Sequence, residues 1–355
     1  MLNLSALYLS QKRLNEVLTP ELIPVSIRSF QISERENYGL SRTAVISQYE
    51  TAALRWMNAA NLPTLGELIA KDRIAEDAFF THLGPFYGNG IEKAAMQFQL
   101  NKPITAKPLL WTKLDSFREG LRLEIQAHPE NYTSQSAPGE MAGRRRLFLV
   151  GRLTDADETT LRAQAYIIGY LHDESRGGIP NIDRFGRLDW QMEVYPVLID
   201  NFAQLENEKP KMAELKKLLT IPESEVKAAF ASILDEPFVP KDWGGEKSDL
   251  VSTQVRIDGM QASTAFAFKG PAVSKKLTVA AMGKNGDQIS RLFSEPVDLV
   301  VVQHCEAVTS AVRDHMRAFA TRINNLRPFC IIDGADTVRI FKAYEKLGFV
   351  SDRAK

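Results

Sequence analysis

Asp249–Gly270 reads DLVSTQVRIDGMQASTAFAFKG, and the fold turns on how this stretch pairs with itself. Two runs in which apolar and polar residues alternate, 249–257 and 260–268, flank Asp258-Gly259. Such a dipeptide between alternating runs marks a hairpin, because both residues tolerate the positive φ of a tight two-residue turn. A regular turn there pairs Ile257 with Met260 and hence Asp249 with Phe268. Cross-strand partners share a face, so Asp249 and Lys269 would then point to opposite sides of the sheet. A three-residue loop with Gly259 left-handed, or a bulge near Asp249, brings them to the same side.

Working outward, Thr220-Ile-Pro-Glu223 reads as a capping box opening a helix that runs to about Leu234. After the hairpin, GKNGDQISRLFS leads through a glycine turn into a short helix. VDLVVVQ (297–303) and PFCIIDG (328–334) are continuous apolar runs, as expected of strands covered on both faces. Helices are expected over 306–322 and 336–347. The order is helix, strand, strand, helix, strand, helix, strand, helix, which implies a mixed sheet with helices on its faces.

This order, with Glu223 or Glu225 on the first helix, Asp249 before the hairpin and Lys269 on its returning strand, resembles the restriction-endonuclease-like PD-(D/E)XK nuclease superfamily. The pair VDLVVVQHC and FCIIDGADTVRIF is similar to the tail of its Mrr-like branch. The resemblance covers about 130 residues, from Leu219 to Phe349. It implies a Mg²⁺-dependent DNA nuclease, or a nuclease-fold subunit of a defence or mobile-element system. Asp249 and Glu225 would be its metal ligands, and Lys269 would sit beside the attacking water. Hard oxygen donors holding Mg²⁺ at a scissile phosphate can activate water and neutralise the anionic transition state. Gln288 and Lys284 are the implied nucleic-acid contacts of this domain. The family's second acid normally stands two residues before the lysine, where this chain has Ala267. Either Glu225, Glu246 or Asp287 takes that place, or the domain is inactive and serves nucleic-acid binding or protein assembly. The GKNGDQ turn, with its amides and Lys284, offers a third reading as an anion or nucleotide sensor.

The fold class expected overall is α/β in the C-terminal domain and α+β for the whole chain, in three regions: 1–110 helical, 111–210 a small α+β region, and 211–355 nuclease-like. MLNLSALYLSQKRLNEVL reads as an amphipathic helix, and Ser41–Ala60 has helical period. Thr64 and Glu67 form a capping box. GPFYGNG (84–90) reads as a loop requiring positive φ. Leu121, Leu123 and Ile125 alternate as a strand, and 145–153 and 161–171 are two more strands joined through DADETT. His128–Gly143 reads as a mobile loop. Arg144, Arg145 and Arg146 follow it, either as a charged strand edge or as phosphate contacts. Trp190–Leu205 reads as a helix starting or kinking at Pro196, and NEKPK (207–211) as a linker.

The 355 residues carry 44 Lys and Arg against 44 Asp and Glu, so any basic surface is local. Two cysteines without metal spacing argue against a disulfide framework or structural zinc and fit a reducing cytoplasm. No apolar run reaches the roughly 20 residues of a membrane span. DNA, a protein partner met through the N-terminal region and homo-oligomerisation are the associations compatible with these features; a membrane is not.

Overall fold

The computed structural model describes residues 2–32, 40–173, 192–239, 247–271, 276–283 and 286–351. The chain divides into two compact units, 1–190 with 321–325, and 191–320 with 326–355. The architecture is mixed α and β throughout, and no helix among the described residues is long and apolar enough to cross a membrane.

The first unit contains β1 (Leu2–Leu9), α1 (Gln11–Val17), α2 (Val25–Arg28), α3 (Leu40–Ala59), α4 (Leu65–Ala70), β2 (Phe79–Asn89), α5 (Ile91–Gln99), β3 (Leu109–Lys113), β4 (Arg122–Gln126), α6 (Ala137–Met141), β5 (Gly143–Ala156) and β6 (Thr160–Asp173). Its strands run in the order β1-β6-β4-β3-β2-β5, and β5 also pairs with β6. The last five therefore close on themselves as a five-stranded barrel, antiparallel except where β4 runs parallel to β6. Alternation sends Phe86, Leu110, Leu123, Ile125, Leu147 and Leu149 into one apolar interior. Short helix α6 adds Ala137 and Met141 to that core. On the outer wall, Trp56 of α3 meets Phe79 edge-on, with ring centroids 5.4 Å apart, and Phe79 in turn meets Tyr166 at 5.3 Å.

Several expectations change here. The opening stretch is not one helix: residues 2–9 form β1, which pairs with the end of β6, and only 11–17 are helical. Long-range pairing overrides local period. Region 1–110 also supplies β2, so a boundary at 110 would cut through the barrel. GPFYGNG lies mostly within β2, and only Gly90 of its glycines has positive φ, at 67°. Gly88 is needed for close approach instead, since a Cβ there would stand 2.0 Å from the Met141 carbonyl oxygen. Residues 128–143 are pinned, with the buried Arg42 donating to the carbonyls of Tyr132 (2.9 Å) and Thr133 (2.8 Å). The Thr64–Glu67 capping box forms as read.

The second unit opens with two 3₁₀ turns, Pro196–Leu198 and Asp200–Asn207, in place of the expected helix; Trp190 lies outside the described residues. There follow α7 (Met212–Leu218), α8 (Glu223–Ile233), β7 (Leu250–Ser252), β8 (Arg256–Ile257), β9 (Met260–Gln261), β10 (Thr264–Lys269), α9 (Gln288–Leu292), β11 (Leu299–His304), α10 (Ser310–Ala320), β12 (Phe329–Ile332) and α11 (Gly334–Ala343). NEKPK is no linker: it lies inside this unit, where Glu208 is buried beside Lys342. Helix α8 starts on Pro222 without a side-chain cap, because the Thr220 hydroxyl donates to the Lys217 carbonyl instead. The main sheet runs β12-β11-β10-β7, with β10, β11 and β12 parallel and β7 antiparallel at one edge. Phe230 of α8 contacts the rings of Phe268 on β10 and Phe341 on α11, at 5.5 and 5.4 Å. All six residues of β11 are buried.

Candidate functional site

The hairpin carries the irregularity that would bring Asp249 and Lys269 together. At its tip, β8 and β9 keep the two-residue turn, with Ile257 opposite Met260 and Asp258 and Gly259 at φ 51° and 75°. The Ala262 N–H still donates to Val255 in that register. Beyond it, Thr264 faces Ser252. Thr253 and Gln254 thus stand against Ser263 alone, which is a bulge on the first strand. Asn201 braces it from outside the hairpin: its amide donates to the Gln254 carbonyl (3.2 Å) and accepts from the Arg256 N–H (2.8 Å).

Past the bulge, Leu250 pairs with Phe266. Carried one residue further, this register sets Asp249 against Ala267, and Ala267 shares its strand face with Lys269. The Asp249 N–H donates to the Phe266 carbonyl (2.8 Å), and its carboxylate accepts from the Phe268 N–H at 2.6 Å. Glu223, first residue of α8, accepts from the Gly270 N–H at 2.5 Å. N–H groups two residues apart project from the same strand edge. The two carboxylates therefore sit on one edge of β10, with Lys269 between their anchoring points. Glycine at 270 permits this closeness, since a Cβ would lie 2.7 Å from that of Glu223. Across the strand, His304 Nδ1 meets the Lys269 carbonyl at 3.0 Å. Lys269 is half-buried and, among the described residues, makes no ion pair.

The other sequence candidates fall elsewhere. Glu225, expected as the helix acid, is exposed; Glu223, two residues earlier and so on the opposite side of α8, reaches the strand instead. Asp287 pairs with Arg291 at 3.2 Å, and Gln288 is buried at the start of α9. Lys284 and Glu246 lie outside the described residues. Arg144, Arg145 and Arg146 are exposed on β5, in the other unit. Cys305, after His304 at the end of β11, is buried, and that burial pushes its thiol up to about 11. Asp333 of the IIDG turn caps α11, accepting from the Asp336 N–H at 3.0 Å.

Among the described residues, no group of three or more His, Cys, Asp or Glu side chains forms a metal cage. Asp249 and Glu223 supply two carboxylates on one strand edge, which is the usual protein share of a Mg²⁺ site completed by water. Sequence reading named Glu223 beside Glu225 and favoured the latter, and it did not foresee Asn201 bracing the hairpin. The glycine directly after Lys269 was the available signal for a close neighbour. Comparison with known proteins gives no matching family model, no matching curated protein and no matching solved structure.

Proposed function

We propose that the second unit is a Mg²⁺-dependent phosphodiesterase acting on DNA, with Asp249 and Glu223 as oxygen donors and Lys269 as the cation beside the scissile phosphate. The bulge at Thr253-Gln254 is the observation that supports this reading, because a regular hairpin would hold Asp249 and Lys269 on opposite faces. Mg²⁺, when bound, supplies a polarised water and charge neutralisation. Lys269 orients the attacking water and offsets negative charge as the phosphorane forms. Glu223, tied to the Gly270 N–H, is held at the end of β10 rather than swinging on a flexible stem.

The test is cleavage of plasmid and linear DNA with Mg²⁺ or Mn²⁺. Lys269→Ala and Asp249→Asn should each lower the rate by roughly 10²–10³-fold, with far-UV circular dichroism unchanged. Absence of cleavage with any divalent ion, or equal cleavage by Lys269→Ala, overturns the proposal.

A specific observation favours a second reading, a nuclease-like domain serving binding or assembly without turnover. Ala267 is fully buried and offers no oxygen donor, and each carboxylate already has a main-chain partner. DNA binding or partner co-purification that persists without turnover would select it.

A further inference from the structure

The end of β10 is held from both of its edges. Along a strand, successive peptide groups point to opposite edges. The N–H groups of Phe268 and Gly270 face the edge where the Asp249 and Glu223 carboxylates accept them, at 2.6 and 2.5 Å. The carbonyl of Lys269, between them, therefore faces β11. There it meets Nδ1 of His304, the residue opposite Lys269 in the parallel ladder, at 3.0 Å. His304 is fully buried, and the pair it makes with Lys269 is the last of that ladder.

A carbonyl oxygen can only accept, so the imidazole carries its hydrogen on Nδ1. A side chain thus supplies the donor to Lys269 at the point where β11 stops. The turn that follows is fixed by α11: the Glu306 carbonyl accepts from the Gly334 N–H at 3.0 Å. A Cβ at Gly334 would stand 2.2 Å from the Cys305 carbonyl oxygen, so the two segments lie against each other. Filling space would account for a buried side chain at 304, and Val300 and Val302 do that earlier on the same face of β11. It does not account for an imidazole aimed at this one carbonyl.

We propose that His304 is a positioning residue for Lys269, an inference that rests on the phosphodiesterase reading of the same site. His304 holds the peptide from which the lysine stem springs, so that the ammonium meets the scissile phosphate and the attacking water from a fixed base. A displacement of about 1 Å at a reacting group can lower a rate by roughly 10²-fold. Asp249 and Glu223 reach the opposite edge from elements of their own, the entry to β7 and the first turn of α8. His304 therefore acts through the lysine and not through the oxygen donors.

The test is plasmid cleavage with Mg²⁺ by the full chain, comparing the wild type with His304→Leu, His304→Asn, Lys269→Ala and the double variant Lys269→Ala/His304→Leu. Leucine and asparagine have nearly the same shape, and only asparagine keeps a donor where Nδ1 was. His304→Leu should lower kcat roughly 10–100-fold with the half-saturating Mg²⁺ concentration unchanged, and His304→Asn should retain most of the rate. On the Lys269→Ala background the leucine should cost less than about threefold, since nothing is left to position. Wild-type cleavage by His304→Leu, equal losses for leucine and asparagine, or a full further loss on the Lys269→Ala background overturns this proposal alone. An inactive wild type overturns the phosphodiesterase reading and this inference with it. Should far-UV circular dichroism show His304→Leu unfolded, His304→Gln replaces it, because its amide lies where Nε2 was. Loss with glutamine and retention with asparagine then support the proposal, and equal rates overturn it.

Discussion

The two units satisfy their backbone hydrogen bonds in opposite ways. The barrel closes, so its five strands pair around a ring and only their inner face is required to be apolar. Parts of its outer wall are left for charge and half-buried rings, as where Arg144, Tyr87, Trp111 and Glu124 stand opposite one another across β5, β2, β3 and β4. The second unit keeps an open sheet whose β11 is buried along its whole length. A polar side chain on such a strand needs a buried partner, as the Gln303 amide finds in the Thr337 hydroxyl (3.0 Å), and Asp249, Glu223 and Lys269 stand where β10 ends. Architecture thus decides where chemistry has room: along a wall in one unit, at the strand tips in the other.

The sharpest way to break this comparison is to hollow one core and watch the other. Phe230→Ala removes a fully buried ring that touches Phe202, Phe268 and Phe341, and should cost about 3–5 kcal/mol. Hydrogen exchange read by mass spectrometry should show β10, β11 and β12 losing protection while β2 to β6 keep theirs. Loss of protection in both units would mean that the barrel and the open sheet do not stand independently.

A smaller effect tests the barrel side alone. Glu50 of α3 accepts from the Ala6 N–H at 2.7 Å, and burial lifts its carboxyl to about 7 despite that bond. Its folded value lies above the unfolded one, so the folded state holds a proton that the unfolded state releases. The resulting stability is present below about 4.5 and is lost as pH rises through about 7. Glu50→Gln keeps the acceptor and removes the buried charge. It should match the wild type in acid and be more stable above neutrality by about 1–2 kcal/mol, allowing for solvent screening. Urea midpoints across the pH range measure this, and a constant difference would refute it.

The smallest effect belongs to the capping box. Thr64→Ala frees the Glu67 N–H, now held at 3.2 Å, and should lower stability by about 1 kcal/mol, read as a shifted urea midpoint at unchanged slope.

Legibility in the sequence followed the same division. The apolar runs of β11 and β12 and the Asp258-Gly259 turn were readable because each signal is local. So were the alternation of β4 and the Thr64 cap. Strand β1 was not, because what makes it a strand is a partner more than 150 residues away in β6. The glycines of β2 mimicked a turn, although Gly88 is set by the approach of Met141. For the candidate site, Asp249 and Lys269 could be named, and the need for an irregularity between them, a longer loop or a bulge, could be argued. Its position could not, because Thr253 and Gln254 carry no bulge signature and their brace, Asn201, comes from elsewhere in the chain. Glu223 over Glu225 is a matter of helix phase at a start that Pro222 set and Thr220 did not cap.

The pairing of Leu2 with Asp173 and Leu9 with Ile167 has a consequence for biosynthesis. At roughly 5–20 residues per second, the ribosome finishes β6 on the order of ten seconds after β1 has emerged. Throughout that interval the leading segment has no edge to join, and its leucines and tyrosine are open to whatever meets them. A nascent chain stalled before residue 160 should therefore be bound by chaperones more heavily than one stalled after residue 173.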